Sequence, residues 1–158
     1  SVKAKGTSIT GNIVIPRKHS GARVTSVESN AFKELGITDV TLSNSITNVK
    51  ENAFYSCRSL SKINFPQSVT VIKNSAFYYC TALTKLDIGN GVTTIESNAF
   101  KQCSSLTSIK MPGSVTTIQS DAFATCISLT EVNVTDLAAW CKIDFAGWLF
   151  LCRAVFDD

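Results

Sequence analysis

The stretch SVTVIKNSAFYYCTALTKLDI, residues 68–88, places an Ala-Phe pair between two short segments that are rich in β-branched and apolar residues. The same pair recurs at spacings of 22, 23, 23 and 23 residues, as Ala31-Phe32, Ala53-Phe54, Ala76-Phe77, Ala99-Phe100 and Ala122-Phe123. Self-similarity at a fixed period of this length indicates a solenoid, in which each repeat packs only on its neighbours. The sequence therefore predicts coils that lay their apolar side chains directly over those of the coil before.

The second segment of the repeat, LTKLDI at residues 83–88, has the L-x-x-L-x-L spacing of a leucine-rich repeat and ends in alternating apolar and polar residues. Alternation points every second side chain inward and leaves the others in water. Six such strands, stacked about 4.8 Å apart, would bury the phenylalanines in one column. We predict a leucine-rich repeat solenoid of the α/β class, rich in β-structure with short helical or 3-10 turns, forming a right-handed, short, curved slab of about six coils.

Both ends of the repeat array are irregular. The insertion RKHSGARVTSV adds five residues between Pro16 and Phe32 and contains His19, the only histidine, and the first coil is one residue short. After Thr135 the pattern changes, and the remaining segment holds both tryptophans. Because an open solenoid end exposes apolar core, caps are expected. We predict one domain, 1–158, with an N-terminal cap and first irregular coil at 1–35, regular repeats at 36–134 and a C-terminal cap at 135–158.

The cysteines raise the question of metal, redox or nucleophilic chemistry. Four of them recur every 23 residues between an inward Phe and an inward Leu, at Cys57, Cys80, Cys103 and Cys126. The coil spacing does not exclude disulfides. However, Leu35 takes the same place in the first unit, which indicates a small apolar slot that a free thiol fills. No C-x-x-C pair or neighbouring His supports zinc or a thiolate nucleophile. We expect four reduced, buried thiols and no metal or cofactor, whereas Cys141 and Cys152 are either a disulfide pair or free thiols.

Composition excludes several functional classes. The 15 basic and 12 acidic residues give a net charge of +3 and are scattered, which argues against a nucleic-acid partner. The longest apolar run, AGWLFLC at residues 146–152, is far shorter than the roughly 20 residues of a membrane-spanning helix. There is no Ser/His/Asp set, phosphate-binding glycine loop or metal cluster in the sequence. We therefore expect no membrane span and no enzymatic activity.

The motifs NAFxxC, SLTxIxxP and SVTxI together resemble the BspA-like leucine-rich repeat family of bacterial cell-surface proteins, and the match covers about residues 9–135. The following TDLAAWCKIDF is similar to a segment that often closes arrays of this family. The resemblance implies a non-catalytic cell-surface or secreted protein that mediates protein–protein, adhesion or host-matrix recognition through its concave sheet face. The alternative is a structural spacer that carries another domain.

The outward strand positions form the predicted binding face. Its residues are Asp39, Thr41, Lys62, Asn64, Lys85, Asp87, Ser108, Lys110, Glu131 and Asn133. The lysines make a basic centre without aromatic anchors, which predicts modest affinity for an acidic or polar partner. Alternatively, these residues only keep the sheet soluble. The run WLFLC at residues 148–152 predicts weak self-association, if this apolar strand pairs with a second copy of itself.

Overall fold

The chain winds into a β-solenoid of about 5 turns, which the computed structural model describes over residues 1–2 and 8–145. Strands on the first face are β1 (Thr10–Ile15), β5 (Gly36–Leu42), β7 (Lys62–Asn64), β9 (Lys85–Asp87), β11 (Ser108–Met111) and β13 (Glu131–Val134). Strands on the second face are β4 (Ser26–Val27), β6 (Asn48–Val49), β8 (Val71–Ile72), β10 (Thr94–Ile95), β12 (Thr117–Ile118) and β14 (Asp144–Phe145). A hairpin, β2 (Lys18–His19) and β3 (Ala22–Arg23), and one helix, α1 (Leu137–Trp140), complete the elements of the described residues.

All strand pairs within the two faces are parallel and join equivalent positions of consecutive coils. The second face is one six-stranded sheet. Six stacked strands would form one continuous sheet on the first face, but the structure shows two. These are β1-β5-β7 and β9-β11-β13, with no ladder between β7 and β9. The break coincides with Phe65, which fills the position of Leu42 and Ile88 with a larger ring. That ring lies edge-on to Phe77 and Phe100, with centroids 5.5 and 6.4 Å away.

The predicted phenylalanine column is confirmed. The rings of Phe32, Phe54, Phe77, Phe100 and Phe123 stack in order with centroids 5.1–5.2 Å apart and planes within 10° of parallel. Three members, Phe54, Phe77 and Phe100, are completely buried. Inward Val and Ile of the second face and Leu and Ile of the first face surround the column. Burial of this column supplies much of the hydrophobic driving force for stacking the coils.

The turn that carries each Phe depends on two residues with left-handed backbone. The residue before each Ala-Phe pair has φ between 53° and 59°, and these residues are Asn30, Asn52, Ser75, Asn98 and Asp121. The second residue after each Phe has φ between 56° and 65°, and these residues are Glu34, Ser56, Tyr79, Gln102 and Thr125. Asn and Asp tolerate this region better than other non-glycine residues. The backbone conformation thus explains the recurring Asn in the NAF motif.

The repeated cysteines fill space and also bond consecutive coils. The thiols of Cys57, Cys80 and Cys103 are buried and free, and each Sγ donates to the carbonyl of the phenylalanine in the preceding coil, at 2.9–3.4 Å. Burial raises the pKa of Cys57 to about 12 and that of Cys80 well above its ordinary value. A hydrogen bond with Cys126, together with burial, raises the pKa of Cys103. These groups therefore remain thiols.

Cys126 departs from the prediction of four buried thiols. It is free and its Sγ donates to Phe100 O at 3.3 Å, but it is only half-buried. The reason is that the repeat pattern ends after this coil, so no further Ala-Phe turn covers it. Cys141 is free and exposed, and its predicted partner Cys152 lies outside the described residues.

The C-terminal segment contributes apolar side chains to the last coil. Asp136 caps helix α1 by accepting a hydrogen bond from Ala139 N at 2.9 Å. Trp140 and Ile143 are buried and belong to the core. Among the described residues no helix has the length and hydropathy of a membrane span. The run at residues 148–152, for which self-association was predicted, lies outside the described residues.

Candidate functional site

The strand face, defined as the ten outward residues named above on β5, β7, β9, β11 and β13, follows the predicted columns. Register places Asp39 beside Lys62 and Thr41 beside Asn64 on the first sheet. On the second sheet, Lys85, Ser108 and Glu131 are neighbours in one column, and Asp87, Lys110 and Asn133 in the other. Intervening residues such as Ile63, Leu86 and Ile109 are buried, so the outward side chains stand on a packed core.

Several of these side chains already have partners within the face. Lys110 Nζ lies 3.4 Å from Asp87 Oδ2, and Asn133 Nδ2 donates to Glu131 Oε1 at 2.7 Å. The carboxamide of Asn64 accepts from Leu42 N at 3.0 Å and so ties β7 to β5. This last contact is structural, because it satisfies a backbone donor at the end of a strand.

Lys62 and Lys85 form the unpaired cationic centre of the strand face. Both are exposed, and within the described part of the chain neither forms an ion pair. They occupy equivalent positions on β7 and β9, the strands that flank the break between the two sheets. Like charges at neighbouring positions repel each other. A carboxylate placed between the two ammonium groups would relieve this repulsion.

A second surface, the tyrosine patch, was not found from the sequence. Tyr55 and Tyr78 stack with centroids 5.1 Å apart and planes within 5°, and Tyr78 also contacts Tyr79. Lys33 Nζ lies over Tyr55, and the guanidinium of Arg58 lies over Tyr79, each 5.1 Å from the ring centroid. The available signal was that Tyr55 and Tyr78 each follow the repeated Phe, so the repeat alone places them side by side.

The tyrosine patch is internally paired. Lys33 and Glu34 approach to 3.7 Å, and Lys101 Nζ lies 2.9 Å from Asp121 Oδ2. The hydrogen bond to Asp121 raises the pKa of Lys101. Stacking and cation–π contacts cover ring faces of all three tyrosines. The patch therefore offers a rigid surface rather than free ring faces.

A shallow pocket of about 350 Å³ lies beside the tyrosine patch, lined by Glu34, Leu35, Gly36, Ser56, Arg58 and Ser59. It lies where the first coil is one residue short beside a coil of full length. Its lining joins one Glu, one Arg and two Ser without a histidine or cysteine. Over the residues that the structure describes, no three His, Cys, Asp or Glu side chains converge on a metal position.

The parallel coils, the L-x-x-L-x-L strands and the polar strand face define the class: this is a leucine-rich repeat protein. The family model for the BspA type leucine rich repeat region matches residues 25–142 with 6 copies. The chain belongs to this family, as its repeated motifs predicted.

Solved structures share the fold. A leucine rich cell surface protein from Faecalibacterium prausnitzii A2-165 is 30% identical, with a TM-score of 0.77 over 84% of this chain and 34% of that one. The leucine rich repeat protein TpLRR of T. pallidum is 23% identical, with a TM-score of 0.69 over 99% and 82%. The chain thus spans about a third of the Faecalibacterium protein. No curated protein matches the sequence.

Proposed function

We propose that this chain is a non-catalytic recognition module of an exported or surface-attached protein, which binds an acidic protein partner through its strand face. The observation that carries the proposal concerns two exposed lysines on the strands beside the sheet break, Lys62 and Lys85, which form no ion pair with any described residue. The other lysine of the face, Lys110, is already paired with Asp87. Lys62 and Lys85 are therefore the positions where a partner carboxylate gains most.

Affinity should be modest. The strand face has no Tyr, Trp or Phe among its outward residues, whereas tight interfaces are anchored by buried aromatic and Arg side chains. Exposed ion pairs contribute about 0–1 kcal/mol each. Two such pairs contribute at most about 2 kcal/mol together, whereas a micromolar complex needs about 8 kcal/mol, so most of the binding free energy has to come from the surrounding polar contacts. An adhesion protein with several copies of such an array would gain strength by multivalency.

The surface location is supported by the family and by one relative. The chain belongs to the BspA type family, and the Faecalibacterium protein with 30% identity is described as a cell surface protein. A non-catalytic role also fits the state of the repeated cysteines. Their buried thiols have raised pKa values and donate hydrogen bonds to backbone carbonyls. Thiols in this state are poor nucleophiles.

The test is a binding screen with two charge-matched variants. Purified chain is assayed by biolayer interferometry against an array of secreted and matrix proteins, and each positive is repeated with the strand-face variant Lys62→Glu/Lys85→Glu/Lys110→Glu. The control is Lys33→Glu/Lys101→Glu/Lys142→Glu, which changes net charge equally but lies off the strand face. We expect the first variant to lose binding by at least about tenfold and the control to bind within about twofold.

Equal binding by both variants would refute the assignment to the strand face. Stronger loss in the control would move recognition to the tyrosine patch, which contains Lys33 and lies beside Lys101. If no protein in the array binds the parent chain, a structural spacer role replaces recognition.

A further inference from the structure

The hairpin β2-β3 interrupts a turn that is short in the other coils. Pro66 and Pro112 are each followed after two residues by the inward Val of the second face, whereas seven residues separate Pro16 from Val24. The added residues fold as a two-residue hairpin, with Lys18 opposite Arg23 and His19 opposite Ala22. In repeat proteins, insertions of this kind form loops on one face, which is often a binding face.

The hairpin has a defined geometry. The two turn residues, Ser20 and Gly21, have φ of 49° and 79°, and a turn with both central residues left-handed matches the twist of the flanking strands. Val24 N donates to Arg17 O at 2.9 Å and closes the base of the hairpin, while Val24 itself is buried in the core. The projection is thereby fixed to the solenoid by its base.

Charge is concentrated in this hairpin. Residues 17–23 hold three of the chain's 15 Lys and Arg and none of its 12 Asp and Glu, so the rest of the sequence is balanced with 12 of each. The basic side chains and His19 are all exposed, and within the described ranges Arg17, Lys18 and Arg23 make no ion pair.

In other coils, three lysines form ion pairs with carboxylates. Lys50, Lys73 and Lys101 each lie 2.7–2.9 Å from a carboxylate oxygen of a neighbouring coil. In the hairpin, Lys18 and Arg23 instead face each other across the two strands, which is an unfavourable arrangement for like charges. Such a cluster is stabilised when an anion lies between the two cations.

We propose that the β2-β3 hairpin docks an acidic polysaccharide, whose sulfate or carboxylate groups are held by Arg17, Lys18 and Arg23. The tip residues Ser20, Gly21 and Ala22 are small. They offer no apolar wedge for a lipid surface, and His19 is the one ring within residues 17–23 on which a nucleic-acid base could stack. Charge and the bidentate fork of arginine remain, and these suit a flexible polyanion.

The test compares two variants with the same change in net charge. The hairpin variant is Arg17→Ser/Lys18→Ser/Arg23→Ser, and the control is Lys33→Ser/Lys101→Ser/Lys142→Ser, which removes the same charge away from both the hairpin and the strand face. Heparin is the sulfated probe and hyaluronate the carboxylated probe, with binding measured over a series of NaCl concentrations. We expect the hairpin variant to bind heparin about 10- to 100-fold more weakly, and its plot of log Kd against log salt to be shallower by two to three, because each neutralised anion releases about one counterion.

The outcomes separate docking on the hairpin from a general effect of net charge. Loss in the hairpin variant with binding retained in the control supports hairpin docking. Equal loss in both variants would show that only net charge matters. A parent chain that binds neither glycan at about 0.15 M NaCl would overturn the proposal. Tighter binding of a single-stranded oligodeoxynucleotide or of phosphatidylserine vesicles would also overturn it. If the triple variant has a lowered melting temperature, the single variants Lys18→Gln and Arg23→Gln replace it. Each single variant should weaken glycan binding several-fold, and unchanged binding in both would overturn the proposal.

Discussion

Removing one ring from the phenylalanine column should be among the most destabilising changes in the molecule. Phe77 is fully buried and stacks on Phe54 and Phe100 at 5.1 and 5.2 Å, with Phe65 edge-on at 5.5 Å. Truncating a buried Phe to Ala costs about 3–5 kcal/mol through lost transfer energy and the cavity left behind. Each aromatic pair adds about 0.5–1.5 kcal/mol. Because three pairs are lost and the coils on both sides are held by rings, we expect Phe77→Ala to cost about 5 kcal/mol, the upper end of the range.

The measurement is urea unfolding followed by far-ultraviolet circular dichroism. Tyr55→Ala is the matched control, because Tyr55 stacks on Tyr78 with nearly the same geometry, 5.1 Å and 5°, but is only half-buried. It should lose about 1–1.5 kcal/mol. If Phe77→Ala is too unstable to fold, Phe77→Leu should lose roughly half as much. Phe77→Ala within about 1 kcal/mol of the Tyr55→Ala control would refute the reasoning that the buried column holds the coils together.

Three further predictions concern the thiols and the turns. Burial raises the pKa of Cys57 from 9.0 to about 12, so the stability that its protonated thiol contributes is complete below the ordinary pKa and is lost as pH rises toward the folded value. The melting temperature of Cys57→Val should therefore fall less steeply between about pH 9 and pH 11 than that of the parent. Parallel curves of melting temperature against pH would contradict this. Thr125 is β-branched with φ of 60°, so Thr125→Asn should stabilise the chain by about 0.5–1 kcal/mol, and a lower melting temperature would count against left-handed strain there. In Gly91→Ala the new Cβ would overlap the backbone carbonyl of Gln67, and the free energy of unfolding in urea should fall by about 1–3 kcal/mol. The control is Gly36→Ala, whose Cβ meets only a flexible Thr10 methyl at 3.1 Å, and this variant should lose clearly less stability.

The sequence predicted the outward strand positions of the ten residues, but not the contacts among them. A strict period of two along each strand put Lys62, Lys85 and Lys110 on one face. Register pairs Lys85 with Ser108 and Lys110 with Asp87 on one sheet, and Lys62 with Asp39 on the other. The sequence gives no sign that Lys110 is paired with Asp87 while Lys62 and Lys85 are not. Pairing depends on side-chain directions and on the break between β7 and β9, which the repeat pattern does not contain.

What the sequence by itself determined is the coil, its period and its buried column, because identical local patterns repeated every 23 residues must stack their apolar positions to bury them. It also determined the family, since the family model matches the repeated motifs over residues 25–142. Only the tertiary structure decided where neighbouring coils differ: the sheet break at Phe65, the cations over Tyr55 and Tyr79, and the basic hairpin, whose cations make no ion pair among the described residues. These features arise from contacts between coils and from departures from the repeat, so no single coil's sequence specifies them.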